Sequence, residues 1–283
     1  MSPTAQAART LKSALIGQVR AVFNDQARGE KPVQRRPEQS LFGPQSVVWR
    51  VHGDVTTMMV GGVAALLLQM LHPAVLAGVW DHSSFRGDML GRLRRTARFI
   101  AVTSYAARED AEAAIEKVRD VHARVRGVLP DGTAYAADDP RLLAWVHVTE
   151  AVSFLDAWIR YAEPGMKRAD QDRYFAEFAR IAEALGADPI PRSRAEADAL
   201  IAAMRGELVA DARTREVARL VLSQPAPNLA VKPFQALAFS AAVDLLPDWA
   251  RRMHRLSGPG LAAPAVRLGT GGIARTIRWA FRG

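Results

Sequence analysis

His122 sits on the apolar stripe of a segment that otherwise patterns as an amphipathic helix. From Asp110 to Arg126 (DAEAAIEKVRDVHARVR) apolar residues recur at three- and four-residue spacing. That spacing predicts a helix over 108–127 whose inward stripe holds Ile115, Val118, His122 and Val125, with Arg126 one turn beyond the histidine. An imidazole aimed inward is either a hydrogen-bonded core residue or one that binds something. The preceding segment, Asp88 to Tyr105 (DMLGRLRRTARFIAVTSY), predicts a helix over 86–106 with an inward stripe of Met89, Leu93, Thr96, Ile100 and Thr103. Arg92 lies one turn before Thr96 on nearly the same face, and Arg95 lies at the other flank of the stripe. A hydroxyl and two guanidinium groups are thus expected to converge on whatever His122 faces.

The remaining chemistry-bearing residues form weaker patterns. His147 and Glu150, three apart on one predicted helix, suggest a metal pair, but a di-iron bundle needs two Glu-x-x-His motifs and two further glutamates, a set this chain does not show. His72 precedes Pro73 at a helix end and reads as a capping or packing residue, and His82 stands in a connection. Gly269-Thr270-Gly271-Gly272 has no strand before it, and neither Gly-x-Ser-x-Gly nor a Walker loop occurs. Hydrolase and nucleotide chemistry therefore have little support.

Composition narrows the field further. The 283 residues, 49% of them hydrophobic, suffice for a full core, and without cysteine there are no disulfides, thiolate metal sites or iron–sulfur clusters, so any metal must use histidine or carboxylate. The net charge of +9 comes from arginine spread over many helices and gathered at the ends: residues 249–283 contain seven arginines and no acidic residue. With no C2H2 spacing, RNP-like strand or helix-turn-helix, specific nucleic-acid binding is not expected. An anionic cofactor or membrane surface accounts for the arginines equally well, and the C-terminal segment with Ile273, Ile277 and Phe281 on one face resembles an interfacial helix as much as a docked one. The amphipathic, charged start lacks a signal-peptide core, which points to a cytoplasmic protein with peripheral membrane contact as an option. Val55 to Leu71, 17 residues without a charge, is at the lower limit for a membrane span and reads better as a buried core helix.

The fold class expected is all-α: one large helical bundle, globin-like in setting helices around a pocket. Further helices are predicted near 3–27, 44–51, 54–71, 73–80, 139–161, 167–185, 192–205, 211–223, 230–244, 246–255 and 271–281. Residues 1–43 form an N-terminal helix and charged connection, 44–256 the catalytic domain, and 257–283 a Gly/Pro/Arg-rich tail with a short amphipathic helix.

In order along the chain stand Gln69-Met70-Leu71-His72-Pro73, Asp81-His82-Ser83-Ser84-Phe85, Arg92-x-x-Arg95-Thr96, His122-x-x-x-Arg126-Gly127, Trp145-x-His147 and the stretch from Asn228 to Arg252. This ordered set, from about Trp49 to His254, resembles the helical oxygenase family of latex-clearing rubber oxygenases and fungal mpaB-type oxygenases. The resemblance implies a b-type haem within an all-helical domain, with His122 as the iron ligand and metal-binding residue, Arg126 beside it, and Arg92, Arg95 and Thr96 on the distal side as catalytic and cofactor-contacting groups. Where relatives carry a lysine able to reach the iron, this chain has Arg95, which stays protonated and has no lone pair to donate. Five-coordinate or water-bound iron follows. The implied reaction is oxidative cleavage of a carbon–carbon double bond in a hydrophobic, isoprenoid-like molecule, with dioxygen as co-substrate. Two alternatives stay open: a haem-free helical protein that binds or isomerises a hydrophobic metabolite through His122 or His82, and a lipid-surface binding protein.

Overall fold

The computed structural model describes residues 32–226, 228–229 and 231–281, together with five separate positions before residue 32. The helix expected over 3–27 lies largely outside the described residues. Among the described residues twelve α-helices follow in order: α1 (Val47–His52), α2 (Val55–Gln69), α3 (Pro73–His82), α4 (Met89–Tyr105), α5 (Arg108–His122), α6 (Pro140–Tyr161), α7 (Arg168–Leu185), α8 (Arg194–Met204), α9 (Ala212–Leu222), α10 (Lys232–Leu245), α11 (Asp248–His254) and α12 (Ala263–Phe281). Between α5 and α6 a small antiparallel hairpin pairs β1 (Arg126–Val128) with β2 (Ala134–Ala136), in the register Arg126↔Ala136 and Val128↔Ala134. The all-α expectation holds, with this hairpin as the only sheet among the described residues.

Short polar caps set the starts of the helices that matter most. Asp54 caps α2 by accepting from the Thr57 amide at 2.9 Å, Asp88 caps α4 through the Gly91 amide at 2.9 Å, and Asp139 caps α6 through the Arg141 amide at 2.8 Å. Pro140 opens α6 at the first helical position, where a missing N–H costs nothing.

The centre is the packed pair α2 and α6, with α10 and α12 against α2, and α7 and α8 against α6. Gly61 lets α2 and α6 touch: a Cβ there would come within 2.8 Å of the Ser153 carbonyl oxygen and 2.9 Å of the Phe154 Cα. One apolar core runs from Leu41 to Ala250 and encloses Trp145, Tyr174, Phe175 and Phe178. The apolar run read as a core helix is so: α2 is buried nearly all round. By length and composition α6 could cross a membrane, yet 67% of its most apolar window is buried inside the protein.

Two boundaries differ from the sequence expectation. The helix expected over 271–281 begins at Ala263, and its small residues serve close packing, since Ala274 and Ala280 are buried with Ile277 against the body of the protein. Arg278 reaches back to the buried Asp54 carboxylate, and Arg267 reaches Asp244 at 2.8 Å. The helix expected over 108–127 stops at His122, which bears on the site.

Candidate functional site around His122

His122 closes α5 as its last residue, and the chain then turns, with the Val125 amide donating to the His122 carbonyl at 3.0 Å. Arg126 therefore does not lie one helical turn beyond the histidine. It stands in β1, and the reason is the hairpin: Gly127 lies so close under the Tyr135 ring that a Cβ would be 2.5 Å from the Tyr135 hydroxyl oxygen. Only glycine fits there, and the β-branched Val125 and Val128 on either side suit extended backbone. Tyr135 in turn donates to Asp81 at 3.0 Å, pinning β2 to the end of α3.

The structure brings four of the expected residues into one cluster. His122 is half-buried, and burial pushes its imidazole below the ordinary range; the Asp138 carboxylate counters this and the Arg92 guanidinium reinforces it. The ring is thus neutral at physiological pH. Arg126 is exposed and donates from Nη2 to Asp138 Oδ2 at 2.7 Å. Arg92, in the first turn of α4, is half-buried; burial lowers its pKa and the adjacent Arg95 lowers it further. No carboxylate pairs with Arg92 among the described residues. Arg95 is exposed and donates to Asp88 Oδ2 at 3.2 Å.

Thr96 is not on the inward stripe. It is exposed, although Met89, Ile100 and Thr103 of the expected stripe are buried and Leu93 is half-buried, because the buried positions of α4 gather toward its two ends. His82 is exposed at the end of α3, with its ring edge-on to Tyr135 at 6.4 Å. His72 takes the N-cap position of α3 with no side-chain cap bond and packs 6.4 Å from Trp145. Asp138 was missed in the sequence as a neighbour of His122, because Asp138-Asp139-Pro140 reads simply as a helix start. A surface cavity of about 310 Å³, lined by Phe42, Arg173, Glu177 and Arg180 among others, shares no residue with this cluster.

A second set of polar groups lies deeper. His52 is buried with both ring nitrogens occupied, Nδ1 by Ser104 Oγ at 2.8 Å and Nε2 by Tyr174 Oη at 3.0 Å, and burial drives its pKa down to about 3. His147 is buried on α6, its pKa lowered to about 4 by burial, with no partner for Nε2 among the described residues. No group of three or more His, Asp or Glu side chains able to hold a metal ion occurs among the described residues.

The donors at His122 suit an iron porphyrin better than a bare ion. A single neutral imidazole is one ligand, not a set, and the half-buried Arg92 cation, with no carboxylate paired to it among the described residues, suits a propionate. The protein is an oxidoreductase, an oxygenase that works on a small molecule with dioxygen and a metal or haem cofactor. In particular, residues 49–279 match the family described as ER-bound oxygenase mpaB/B′/Rubber oxygenase, catalytic domain, and the chain belongs to that family. Comparison with curated proteins found no match, and comparison with solved structures found none either.

Proposed function

We propose that this oxygenase binds haem b through His122 and cleaves a carbon–carbon double bond of a hydrophobic, isoprenoid-like substrate. The observation that carries the reading is the pairing of a neutral, half-buried imidazole on α5 with an uncompensated guanidinium on α4, within a chain of this family. When bound, the haem iron supplies the activation of dioxygen. Overall, both oxygen atoms end on the two carbons of the broken double bond, giving two carbonyls with no separate reductant.

The residues contribute binding and positioning. His122 offers a ring lone pair to the iron because its pKa is held low, and the nearby Asp138 carboxylate increases the basicity of the ring. Arg92 pairs with a propionate, which relieves the repulsion it feels from Arg95. Arg126 acts on His122 through Asp138, fixing the carboxylate from the hairpin side. Arg95 and Thr96 stand at the outer edge of this arrangement.

The test is an absorption spectrum and pyridine haemochrome on protein expressed with adequate iron and haem precursor, beside His122→Ala. A Soret band with stoichiometric haem b that the variant loses is the expected result. Folded, colourless protein that hemin does not reconstitute would overturn the proposal and leave the haem-free pocket as the reading to pursue.

A further inference from the structure

Leu142, Val146 and Glu150 recur every fourth residue along α6, and they are the half-buried positions of a stretch, 142–155, in which every other residue is buried. Their partial exposure means that packed side chains do not fully cover this face of α6. The stripe starts at Leu142, which packs beside Ala74, Ala77 and Tyr135 near the hairpin that follows His122, and ends at Glu150 eight residues on, a rise of about 12 Å.

Three polar side chains gather at the inner end, and none is well satisfied. Gln69 of α2 reaches the Glu150 carboxylate and the Val146 carbonyl only at 3.5 and 3.4 Å, at the outer limit of a hydrogen bond. His147, 6% exposed, leaves Nε2 without a partner. Glu150 has no cation beside it among the described residues; its surroundings are Gln69 and the field of the buried Tyr174 on α7. Burial pushes its carboxyl up to about 7, so a protonated, uncharged acid is available there near neutral pH. An unsatisfied buried ring nitrogen such as His147 Nε2 is costly, and its place one turn from the weakly bonded Gln69–Glu150 pair, at the end of the half-buried stripe, suits a polar partner.

We propose that Gln69, His147 and Glu150 form an internal subsite for an uncharged hydroxyl or carbonyl group carried by an otherwise apolar molecule. A carboxylate is unfavourable there, because its charge would have no cation to balance it among the described residues. A hydroxyl can donate to Glu150 or His147 Nε2 and accept from Gln69, and a carbonyl can accept from the Gln69 amide or from protonated Glu150. The inference deepens the reading of the chain as an oxygenase of hydrophobic molecules and rests on it: the substrate is an oxygenated lipid, its polar group held at the far end of the stripe from His122.

Binding of 1-decanol, 2-decanone and decane to the full-length protein as purified, measured anaerobically by calorimetry with haem content read on the same sample, tests this. The expected result is affinity for the alcohol and the ketone roughly tenfold or more above that for decane. Glu150→Leu should erase that advantage while Glu150→Gln, which keeps hydrogen-bonding atoms, retains most of it. His147→Phe, a ring replacing a ring beside Phe178, provides a second loss-of-partner variant that preserves packing. Equal affinities for alcohol and alkane would overturn the proposal, as would an advantage that survives both Glu150→Leu and His147→Phe. Haem-free protein that keeps the preference in a sample hemin cannot reconstitute would instead sink the oxygenase reading while sparing the subsite.

Discussion

His52 and His122 are both imidazoles kept neutral by burial, yet the molecule treats them oppositely. His52 lies in the interior between α4 and α7, with each ring nitrogen spent on a hydrogen bond to Ser104 or Tyr174 and its ring edge-on to Phe154 and Phe178. His122 lies at the end of a helix, half-buried, with charges around it and no hydrogen bond to its ring among the described residues. The difference separates a histidine that holds structure from one whose lone pair is left for something else. Burial alone does not make a ligand; an unspent nitrogen does.

That contrast can be broken most sharply by exchanging the phenotypes. His122→Ala is expected to remove the haem band entirely while lowering the unfolding free energy by less than about 1 kcal/mol, since a half-buried side chain without partners contributes little. His52→Leu is expected to do the reverse, costing on the order of 2–4 kcal/mol in chemical denaturation because Ser104 and Tyr174 each lose a buried partner. A colourless His52→Leu that is as stable as wild type would erase the distinction.

The next effect concerns pH. The Glu150 carboxyl is raised from 4.5 to about 7, so the folded state holds that proton more tightly than the unfolded chain. Its contribution to stability is full below about pH 4.5 and is lost as pH rises through 7. Glu150→Gln should therefore be more stable than wild type at pH 8, by on the order of 2 kcal/mol, and indistinguishable from it near pH 4. His52 and His147, lowered to about 3 and about 4, act with the opposite sign: they favour the fold above pH 6.5 and withdraw that support as pH falls toward 4. Parallel melts of the two proteins across this range would read the crossover, and coincident curves would place Glu150 in contact with water.

Smaller effects sharpen the picture at the rim. Gly127→Ala should cost roughly 1–3 kcal/mol through the clash with Tyr135 and reduce haem retention, because the hairpin carries Arg126 and positions Asp138. Arg126→Ala removes one exposed ion pair and should shift stability by about 0.5 kcal/mol. A loss of haem in Arg126→Ala as complete as in His122→Ala would give that arginine a direct contact with the cofactor.

The sequence carried much of this. Ten of the helices begin and end within three residues of the spans that periodicity and caps predict, because apolar spacing and short-range capping decide them locally. The end of α5 was not legible. Val125 and Val128 fit an apolar helical stripe and a strand equally well over so short a stretch, and the choice is made by Tyr135, whose ring admits only glycine at 127. The exposure of Thr96 has no local signal: it fits the stripe by spacing, but the buried positions of α4 gather at its two ends, Met89 and Gly91 at the start and Ile100, Thr103, Ser104 and Tyr105 at the finish. The bonds of His52 had no local signal at all, since Tyr174 lies 122 residues away.

The Asp54 carboxylate, only 2% exposed at the cap of the central helix, finds its cation in Arg278, 224 residues downstream. During synthesis that carboxylate must wait for 224 further residues. Until residue 278 has left the ribosome, the centre of the bundle carries an unbalanced charge, and its completion is a late event set by a contact that spans 224 residues.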